Sequence, residues 1–242
     1  MIYFYLSPCK DFKNYYLYYL RYKYKEYFCL PSYSRIIQLL PRMLLPLAVL
    51  MHYLKGDETG IYYIDSTKLA ICHNKRISSN RVFNRISKIG KSSYGWFLGF
   101  KLHLVINNKG ELMSVKITKG NKSDLSVASV ISKVLSGKLF GDKAYISKEL
   151  FHQLFSNGLR LFTNLLKDMK TYLLDIDDKR LLNKRSLIES VFNVLKKHMH
   201  LEHTRHRFPL NFFVHIIASL SSYSISKLNP HLISSSSPDS LS

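Results

Sequence analysis

From residue 60 onward, short apolar runs alternate with stretches of helical periodicity, and this alternation constrains the fold more than any other feature of the sequence. The apolar runs predict strands at residues 61–64, 96–106, 112–118, 138–141 and 159–163, the second and third joined as a hairpin around the turn at residues 107–110. Helical periodicity predicts helices at residues 124–135, 147–156, 187–200 and 210–228. Ser123 or Asp124 is the expected N-cap of the first of these helices. The pattern predicts an α/β fold in which helices flank a mixed sheet.

The regions on either side of this pattern differ in character. Residues 33–54 predict a short helix and a second helix broken by proline, followed by a linker at Gly56 and Gly60. Residues 1–30 are rich in Tyr and Lys without an apolar period, which fits either stacking on nucleic acid or a poorly ordered segment. The Ser-rich residues 230–242 predict a disordered tail. We therefore predict a small helical N-terminal segment over 1–56, an α/β domain over 57–229 and a tail over 230–242.

The charge balance favours a polyanionic partner. Lys and Arg number 36 against 16 Asp and Glu, for a formal net charge of +20, which suits nucleic acid or an acidic membrane surface. The alternative interpretation is a coding bias that raises the Lys content without a dedicated binding surface. The three cysteines show no disulfide or zinc spacing, which fits a reducing cytosol. The most apolar run, residues 43–51, contains Pro46 and is shorter than the roughly 20 residues of a membrane span, so neither a membrane span nor a secretion signal is predicted.

Two aspartates directly follow predicted strands. Asp65 follows the run 61–64, and Asp142 follows the run 138–141. Ligands of open α/β sheets bind beyond the carboxyl ends of the strands, so both carboxylates are expected in one crevice. Either aspartate alone would be interpreted as a turn residue or a helix cap.

A third acid lies on the predicted helix 187–200. Glu189 lies on one face of this helix with Arg185 and Lys196, at offsets of four and seven residues. The adjoining core-facing stripe consists of Ile188, Val191, Phe192, Leu195 and Met199. By itself the Arg185–Glu189 pair would be a surface ion pair worth about 0.3–0.5 kcal/mol. With Asp65 and Asp142, however, Glu189 would complete an oxygen-only site suited to Mg²⁺ or Mn²⁺.

These segments resemble a known family. Tyr-Ile-Asp-Ser-Thr at 63–67, Gly-Asp-Lys-Ala-Tyr at 141–145, and Arg185 with Glu189 and Lys196 resemble the three acidic motifs of bacterial insertion-sequence DDE transposases. Residues 72–76 and 95–103 are also similar to that family, so the resemblance extends over residues 33–229. The chain departs from the family pattern at Leu182, where a Tyr is frequent, and at Ala144, where a Gly is usual.

The resemblance implies an RNase H-like catalytic core in which Asp65, Asp142 and Glu189 are catalytic and hold two Mg²⁺ or Mn²⁺ ions. The implied reaction is hydrolysis at the ends of an insertion sequence, followed by attack of the freed 3′-hydroxyl on target DNA. The implied partners are the terminal inverted repeats and the target DNA. The resemblance also allows a homodimer on DNA. The expected location is the bacterial cytosol, at the nucleoid. The residues expected to contact DNA are Lys75, Arg76, Lys143, Arg185, Lys196, Lys197, Arg205 and Arg207.

Two alternatives remain open from the sequence. Relatives carry a longer helical DNA-binding region before the first catalytic Asp, and residues 1–30 do not resemble one. The first alternative is therefore an inactive, truncated remnant that only binds DNA. The second is an RNase H-like nuclease that hydrolyses DNA without strand transfer.

Overall fold

The computed structural model of the chain describes residues 1–24, 26–27, 29–92, 95–164, 175–202, 206 and 208–228. By its internal contacts the chain divides into two compact units. The helical unit comprises the described residues of Met1–Leu54, Leu195–Leu201 and His206–Ser242, and the sheet unit those of Lys55–Val194 and Glu202–Arg205. The domain boundaries expected from the sequence stay predictions, and the expected tail at 230–242 lies outside the described residues.

From residue 61 onward the predicted helices and strands are present, and a strand at Lys88–Ser92 and a helix at Ile176–Asn183 are additional to the prediction. The helices are α1 (Ile2–Tyr5), α2 (Phe12–Asn14), α3 (Arg21–Lys23), α4 (Tyr33–Leu39), α5 (Leu44–Tyr53), α6 (Leu125–Ile131), α7 (Lys148–Ser156), α8 (Ile176–Asn183), α9 (Ser186–Lys197) and α10 (Pro209–Leu228). A π-helical segment spans Tyr15–Leu20, and 3₁₀ turns occupy Leu40–Met43, Asn74–Arg76 and Lys143–Tyr145. The strands are β1 (Ile61–Ala70), β2 (Lys88–Ser92), β3 (Gly95–Asn107), β4 (Leu112–Lys119), β5 (Gly137–Gly141) and β6 (Leu159–Thr163).

The six strands form one mixed sheet. β3 and β4 are the predicted antiparallel hairpin, and β1 pairs antiparallel with β3 on the other side. β5 lies parallel to β1, and β6 lies parallel to β5. The short β2 pairs with the first residues of β3. This arrangement confirms the expected α/β class, a mixed sheet with helices around it.

One face of the sheet is covered by α6 and α7. Alternate residues of β1, including Tyr62 and Ile64, join an apolar cluster with Leu139 of β5 and with Leu150 and Leu154 of α7. The period of two therefore leaves Tyr63 and Asp65 on the opposite face. On that face the rings of Tyr63 and Phe140 are 5.7 Å apart, and those of Phe140 and Phe162 are 5.0 Å apart.

Helix α9 buries the stripe expected from its sequence. Ile188, Val191, Phe192 and Leu195 of α9 are buried, as is Met199, which follows the end of the helix, and this confirms that part of the prediction. Glu189 lies outside this stripe and is exposed, in the first turn of α9. The helix thus carries an acidic side chain on the edge of a face that is fixed by packing.

The helical unit orders much of the Tyr-rich N-terminal segment. Tyr5, Tyr15 and Tyr16 are buried, and the Tyr5 hydroxyl is hydrogen-bonded to Nδ1 of His215 at 2.6 Å. His215 belongs to α10, which confirms the apolar helix expected at residues 210–228. Burial of tyrosines, rather than of aliphatic residues, is the physical reason that no apolar period was visible here.

The stretch Tyr33–Tyr53 is helical over 21 residues and is, by length and composition alone, apolar enough to cross a membrane. Pro46 does not break α5 because it lies in the first turn, where a backbone N–H is not needed. One such stretch near the N-terminus is weak evidence, since core helices of soluble proteins and signal sequences have the same properties. The expected absence of a membrane span stays a prediction.

Candidate active site

Asp65 lies inside β1 rather than at its end. The expectation that the strand stops at Asp65 is wrong, because β1 stays paired with β3 from Asp65↔Leu104 to Ala70↔Gly99. What ends near Asp65 is the pairing of β1 with β5, whose last pair is Tyr63↔Phe140. Asp65 and Asp142 each follow this last pair by two residues. The two aspartates therefore lie at the same level along neighbouring parallel strands, as the crevice argument requires.

Asp142 directly follows β5, as expected. It is the N-cap of the 3₁₀ turn Lys143–Tyr145, and its Oδ1 accepts a hydrogen bond from the backbone N–H of Ala144 at 2.8 Å. The side chain is half-buried. Capping fixes the orientation of this carboxylate at the edge of the sheet.

Arg185 joins the strand acid to the helix acid. One of its guanidinium nitrogens (Nη1) lies 3.6 Å from Oδ2 of Asp65, and the other (Nη2) donates to Oε1 of Glu189 at 3.1 Å. The sequence predicted only the second of these contacts. Arg185 and Asp65 are each 22% exposed, whereas Glu189 is 59% exposed. One partly buried cation thus lies between two of the three expected acids.

The charge of Asp65 is only partly compensated. Burial raises the pKa of its carboxyl to about 6, and the neighbouring charges of Asp142 and Asp124 add to this rise. A hydrogen bond from the backbone N–H of Ser66 to Oδ1, at 2.7 Å, and the charge of Arg185 act in the opposite direction. A partly buried carboxylate with a raised pKa, with two further acids nearby, is an environment that favours a bound cation.

The donors of the expected metal site are carboxylate oxygens alone, which fits Mg²⁺ or Mn²⁺ by chemistry. Within the described residues, no group of three or more His, Cys, Asp or Glu side chains is arranged to hold a metal ion. Glu189 contacts Arg185 instead, and its exposed side chain would have to turn for all three acids to share a cation. The roles of Asp65, Asp142 and Glu189 as metal ligands stay predictions.

A fourth acid, Asp124, also belongs to this region and was interpreted from sequence only as a helix cap. Its side chain makes no capping hydrogen bond, and Ser123 accepts the bond from the backbone N–H of Ser126 instead. Asp124 accepts from the Ser66 hydroxyl at 2.7 Å and from the Lys101 ammonium at 3.2 Å. Sheet pairing, which sets these strands side by side, is the information that the sequence pattern lacked.

Tyr145 is a buried neighbour of the acids. Its pKa is raised by burial and then by the negative charges of Asp65, Asp124 and Asp142. The hydroxyl therefore stays protonated and is a potential hydrogen-bond donor. Within the described residues it has no hydrogen-bond partner.

Comparison with known proteins identifies the family. The sequence matches the family described as "Transposase DDE domain" over residues 55–209, which is more than half of the chain. The chain belongs to this family. The matched region includes Asp65, Asp142, Arg185 and Glu189.

Other comparisons add less to this assignment of a transposase domain. A search of curated proteins found no significant match. Among solved structures, the chain is similar to a chain of the simian T-cell lymphotropic virus intasome in complex with PP2A regulatory subunit B56 gamma, determined by cryo-electron microscopy. The sequences are 16% identical, the TM-score is 0.36, and the match covers 65% of this chain and 46% of the other, which is less than half of its length.

The cations expected to contact DNA lie in several parts of the transposase chain. In the sheet unit Lys143 is exposed beside Asp142, and Lys75 and Arg76 are exposed in the turn Asn74–Arg76. Lys196 and Lys197 form the last turn of α9 and belong to the helical unit. Arg205 and Arg207 lie outside the described residues.

Proposed function

We propose that the protein is a transposase that cleaves DNA at the ends of an insertion sequence and joins the freed ends to target DNA. The observation that supports this proposal is the contact of Arg185 with both Asp65 and Glu189, near Asp142, in a chain of the transposase DDE domain family. The expected partners are the terminal inverted repeats and target DNA, and the expected location is the bacterial cytosol.

Asp65, Asp142 and Glu189 are the residues that would hold two Mg²⁺ or Mn²⁺ ions. When bound, such ions supply positive charge at the attacking and leaving oxygens of a phosphodiester and lower the pKa of water. Asp65 and Asp142 contribute carboxylates fixed by a backbone hydrogen bond and by a cap, respectively. Glu189 contributes a carboxylate from a helix whose buried face sets its position.

Arg185 has two successive tasks in this proposal. In the metal-free protein it compensates the charge of Asp65 and Glu189. With bound cations supplying that compensation, its guanidinium would be available to bind a DNA phosphate in a bidentate manner. Lys143, exposed next to Asp142, is expected to bind a neighbouring phosphate.

The chemical steps are two in-line displacements at phosphorus. In the first, the oxygen of water bonds to phosphorus as the 3′-oxygen leaves and takes up a proton. In the second, that 3′-hydroxyl loses its proton, bonds to a target phosphate and displaces another 3′-oxygen. The carboxylates and cations of this site fix the geometry of both displacements.

The test is Asp142→Asn, which keeps the size of the side chain but removes its charge. We expect this variant to lose Mg²⁺-dependent cleavage of duplexes taken from the DNA that flanks the coding region, because the amide is a much weaker cation ligand. DNA affinity should be unchanged or slightly higher. The matched control is Asp57→Asn, since Asp57 is 78% exposed and pairs with Lys109; it should cleave like the parent.

The same assay distinguishes the alternatives. Joined strand-transfer products separate a transposase from an RNase H-like nuclease, which would only cut. Salt-sensitive DNA binding without cleavage by the parent would replace the proposal with a DNA-binding remnant. Cleavage by Asp142→Asn at the parental rate would contradict the catalytic assignment.

A further inference from the structure

One helical stretch of the N-terminal segment divides its tyrosines between the interior and the surface of the helical unit. Tyr15 and Tyr16 are buried, and the ring of Tyr19 stacks on that of Tyr15 with the centroids 5.9 Å apart. Tyr18 and Tyr22, by contrast, are 69% and 91% exposed. The inner rings hold the stretch in place, and the two outer rings contribute little to its packing.

The two exposed tyrosines share one surface. Tyr18 and Tyr22 are four residues apart, and together with Leu17 and Arg21 they line a single shallow depression. Arg21 is also exposed. This surface, which we call the outer tyrosine surface, therefore presents two aromatic rings and a guanidinium group to solvent side by side.

The charge around the outer tyrosine surface is positive. Residues 12–24 contain Lys13, Arg21 and Lys23 and no Asp or Glu. Lys23 lies over the ring of Tyr19, with its Nζ 5.5 Å from the centroid, so its charge is held against the same stretch. A partner that complements this charge is a polyanion, and the exposed rings favour one that carries flat groups of its own.

Single-stranded nucleic acid has both properties. Its unpaired bases expose flat faces on which aromatic side chains stack, and its phosphates bind guanidinium groups. In a duplex the neighbouring base pairs already cover those faces. An anionic membrane would match the charge, but helices that bind to a membrane surface bury a broad apolar face in it. The exposed side chains of the outer tyrosine surface are instead two tyrosines and an arginine.

We propose that the outer tyrosine surface binds single-stranded DNA, with the rings of Tyr18 and Tyr22 stacked on unpaired bases and Arg21 bound to the phosphate backbone. The inference goes beyond the proposed function, because it concerns the helical unit and needs neither the acids nor a metal ion. Only the choice of DNA over RNA rests on the proposed function, in which the substrate is DNA.

The test is the affinity of the full chain for a fluorescent oligothymidylate of about 12 nucleotides, a length within the usual range of such sites. Fluorescence anisotropy in the presence of EDTA measures binding without cleavage. Tyr22→Ala should weaken binding at least about 5-fold, the lower limit for the loss of one stacked base. Tyr22→Phe should bind like the parent because it keeps the ring. Tyr22→Leu should bind like Tyr22→Ala, because it keeps apolar volume without a flat face.

Tyr53→Ala is the matched control. Tyr53 is an 80% exposed tyrosine of α5 in the same unit, and it is not among the described residues that line the depression. This variant should bind like the parent. Arg21→Ala tests the phosphate contact separately: it should reduce the slope of log affinity against log salt by about 0.7, whereas Tyr22→Ala should leave that slope unchanged.

An abasic oligonucleotide of the same length gives a readout that a structural role of the tyrosines would not change. It keeps the phosphates and lacks the bases. The parent should bind it more weakly than it binds oligothymidylate, because the rings have nothing to stack on. The double variant Tyr18→Ala/Tyr22→Ala should lose most of this difference.

Four results would overturn the inference. Parental affinity of Tyr22→Ala for oligothymidylate would show that the ring contacts no base. Equal losses in Tyr22→Phe and Tyr22→Ala would assign the effect to the hydroxyl. Tighter binding of an oligouridylate of the same length would assign the surface to RNA. Binding to phosphatidylglycerol vesicles that Tyr22→Ala abolishes, with unchanged affinity for oligothymidylate, would assign it to a membrane. Absence of cleavage by the parent would overturn the proposed function alone, since binding is measured without metal.

Discussion

The interiors of the two units are built from different chemistry. In the sheet unit, aliphatic and aromatic side chains from β1, β5, α6 and α7 fill the apolar cluster. In the helical unit, α10 alone contributes six of the buried polar side chains of the described residues: His215, Ser219, Ser221, Ser222, Ser224 and Ser226. The apolar cluster of the sheet unit consists of hydrophobic residues, whereas the interior of the helical unit includes a row of buried polar side chains on one helix.

The hydroxyls of the helical unit are accommodated mainly by backbone carbonyls. Ser219 donates to the carbonyl of Met199 at 2.8 Å, Ser226 to that of Tyr223 at 2.7 Å, and Tyr16 to that of Pro31 at 2.7 Å. Buried polar groups with such partners are tolerated at little net cost. A polar residue type therefore does not indicate exposure in this unit, and hydrophobic periodicity is a poor guide to it.

The largest effect is expected from Leu139→Ala in the sheet unit. Leu139 is fully buried in β5, so truncation should leave a cavity and lower the free energy of unfolding by about 2–5 kcal/mol. The measurement is urea unfolding followed by tryptophan fluorescence, because the single tryptophan, Trp96, lies on β3 of this unit. Val134→Ala, at an 83% exposed position, is the control and should cost less than about 0.5 kcal/mol. A loss of less than roughly 1 kcal/mol for Leu139→Ala would contradict this prediction, because it would show that the apolar interior of the sheet unit is not closely packed around Leu139.

The sequence predicted those parts of the sheet unit in which apolar residues recur with a clear period. The β3–β4 hairpin, β5, β6 and the buried stripe of α9 all fall in this class. The sequence did not predict β2, because this strand has few apolar side chains and is instead packed closely against another stretch of backbone. A Cβ on Gly90 would lie 2.1 Å from the carbonyl oxygen of Gly120. In the helical unit, buried tyrosines concealed the pattern of the N-terminal segment, because their burial does not follow an aliphatic period.

The site was predictable in its residue types but not in its connections. Strand-end position and motif spacing indicated Asp65 and Asp142, and helical spacing indicated the Arg185–Glu189 contact. The contact of Arg185 with Asp65 joins residues 120 positions apart, which no local pattern encodes. The sequence indicated Ser123 or Asp124 as the N-cap of α6, and Ser123 makes the capping bond; the contacts of Asp124 with Ser66 and Lys101 could not be predicted from a local pattern.

The second effect in size is a pH dependence caused by a polar residue within the sheet unit. His103 is 1% exposed, and burial lowers its pKa from 6.5 to about 4, with Lys101 and Lys116 acting in the same direction and Asp124 against them. Between these two pH values the unfolded chain binds a proton that the folded chain does not, so stability falls as the pH drops below 6.5. At pH 5 the loss from this group should be roughly 2 kcal/mol relative to neutral pH.

His103→Gln isolates this contribution, since the glutamine amide can still bond to the hydroxyl of Thr118, which His103 Nε2 contacts at 2.8 Å. Unfolding of parent and variant is compared at pH 7 and pH 5 by the fluorescence of Trp96. Asp65, with its raised pKa, acts in the opposite direction, and its effect cancels when the two proteins are compared. An equal pH dependence in both proteins would show that burial of His103 carries no such cost.

The smallest effect, and the sharpest test of the helical unit, comes from two serines of α10. Both Ser219 and Ser221 are fully buried, but Ser219 donates to the carbonyl of Met199, whereas Ser221 has no hydrogen-bond partner among the described residues. Ser219→Ala should therefore cost about 1 kcal/mol, because it removes the hydrogen bond and leaves a buried carbonyl without that donor. Ser221→Ala should leave the free energy of unfolding unchanged or raise it by about a few tenths of a kcal/mol, since it removes a buried polar group without a hydrogen-bond partner. Hydrogen exchange of α10 peptides, read by mass spectrometry, measures both changes in this unit directly.

The two variants differ in whether the deleted hydroxyl has a partner, so the order of their effects tests whether the polar interior is stabilised by hydrogen bonds. Equal losses for both would mean that packing volume alone decides stability here, and the contrast between the two interiors would then be one of composition and not of energetics.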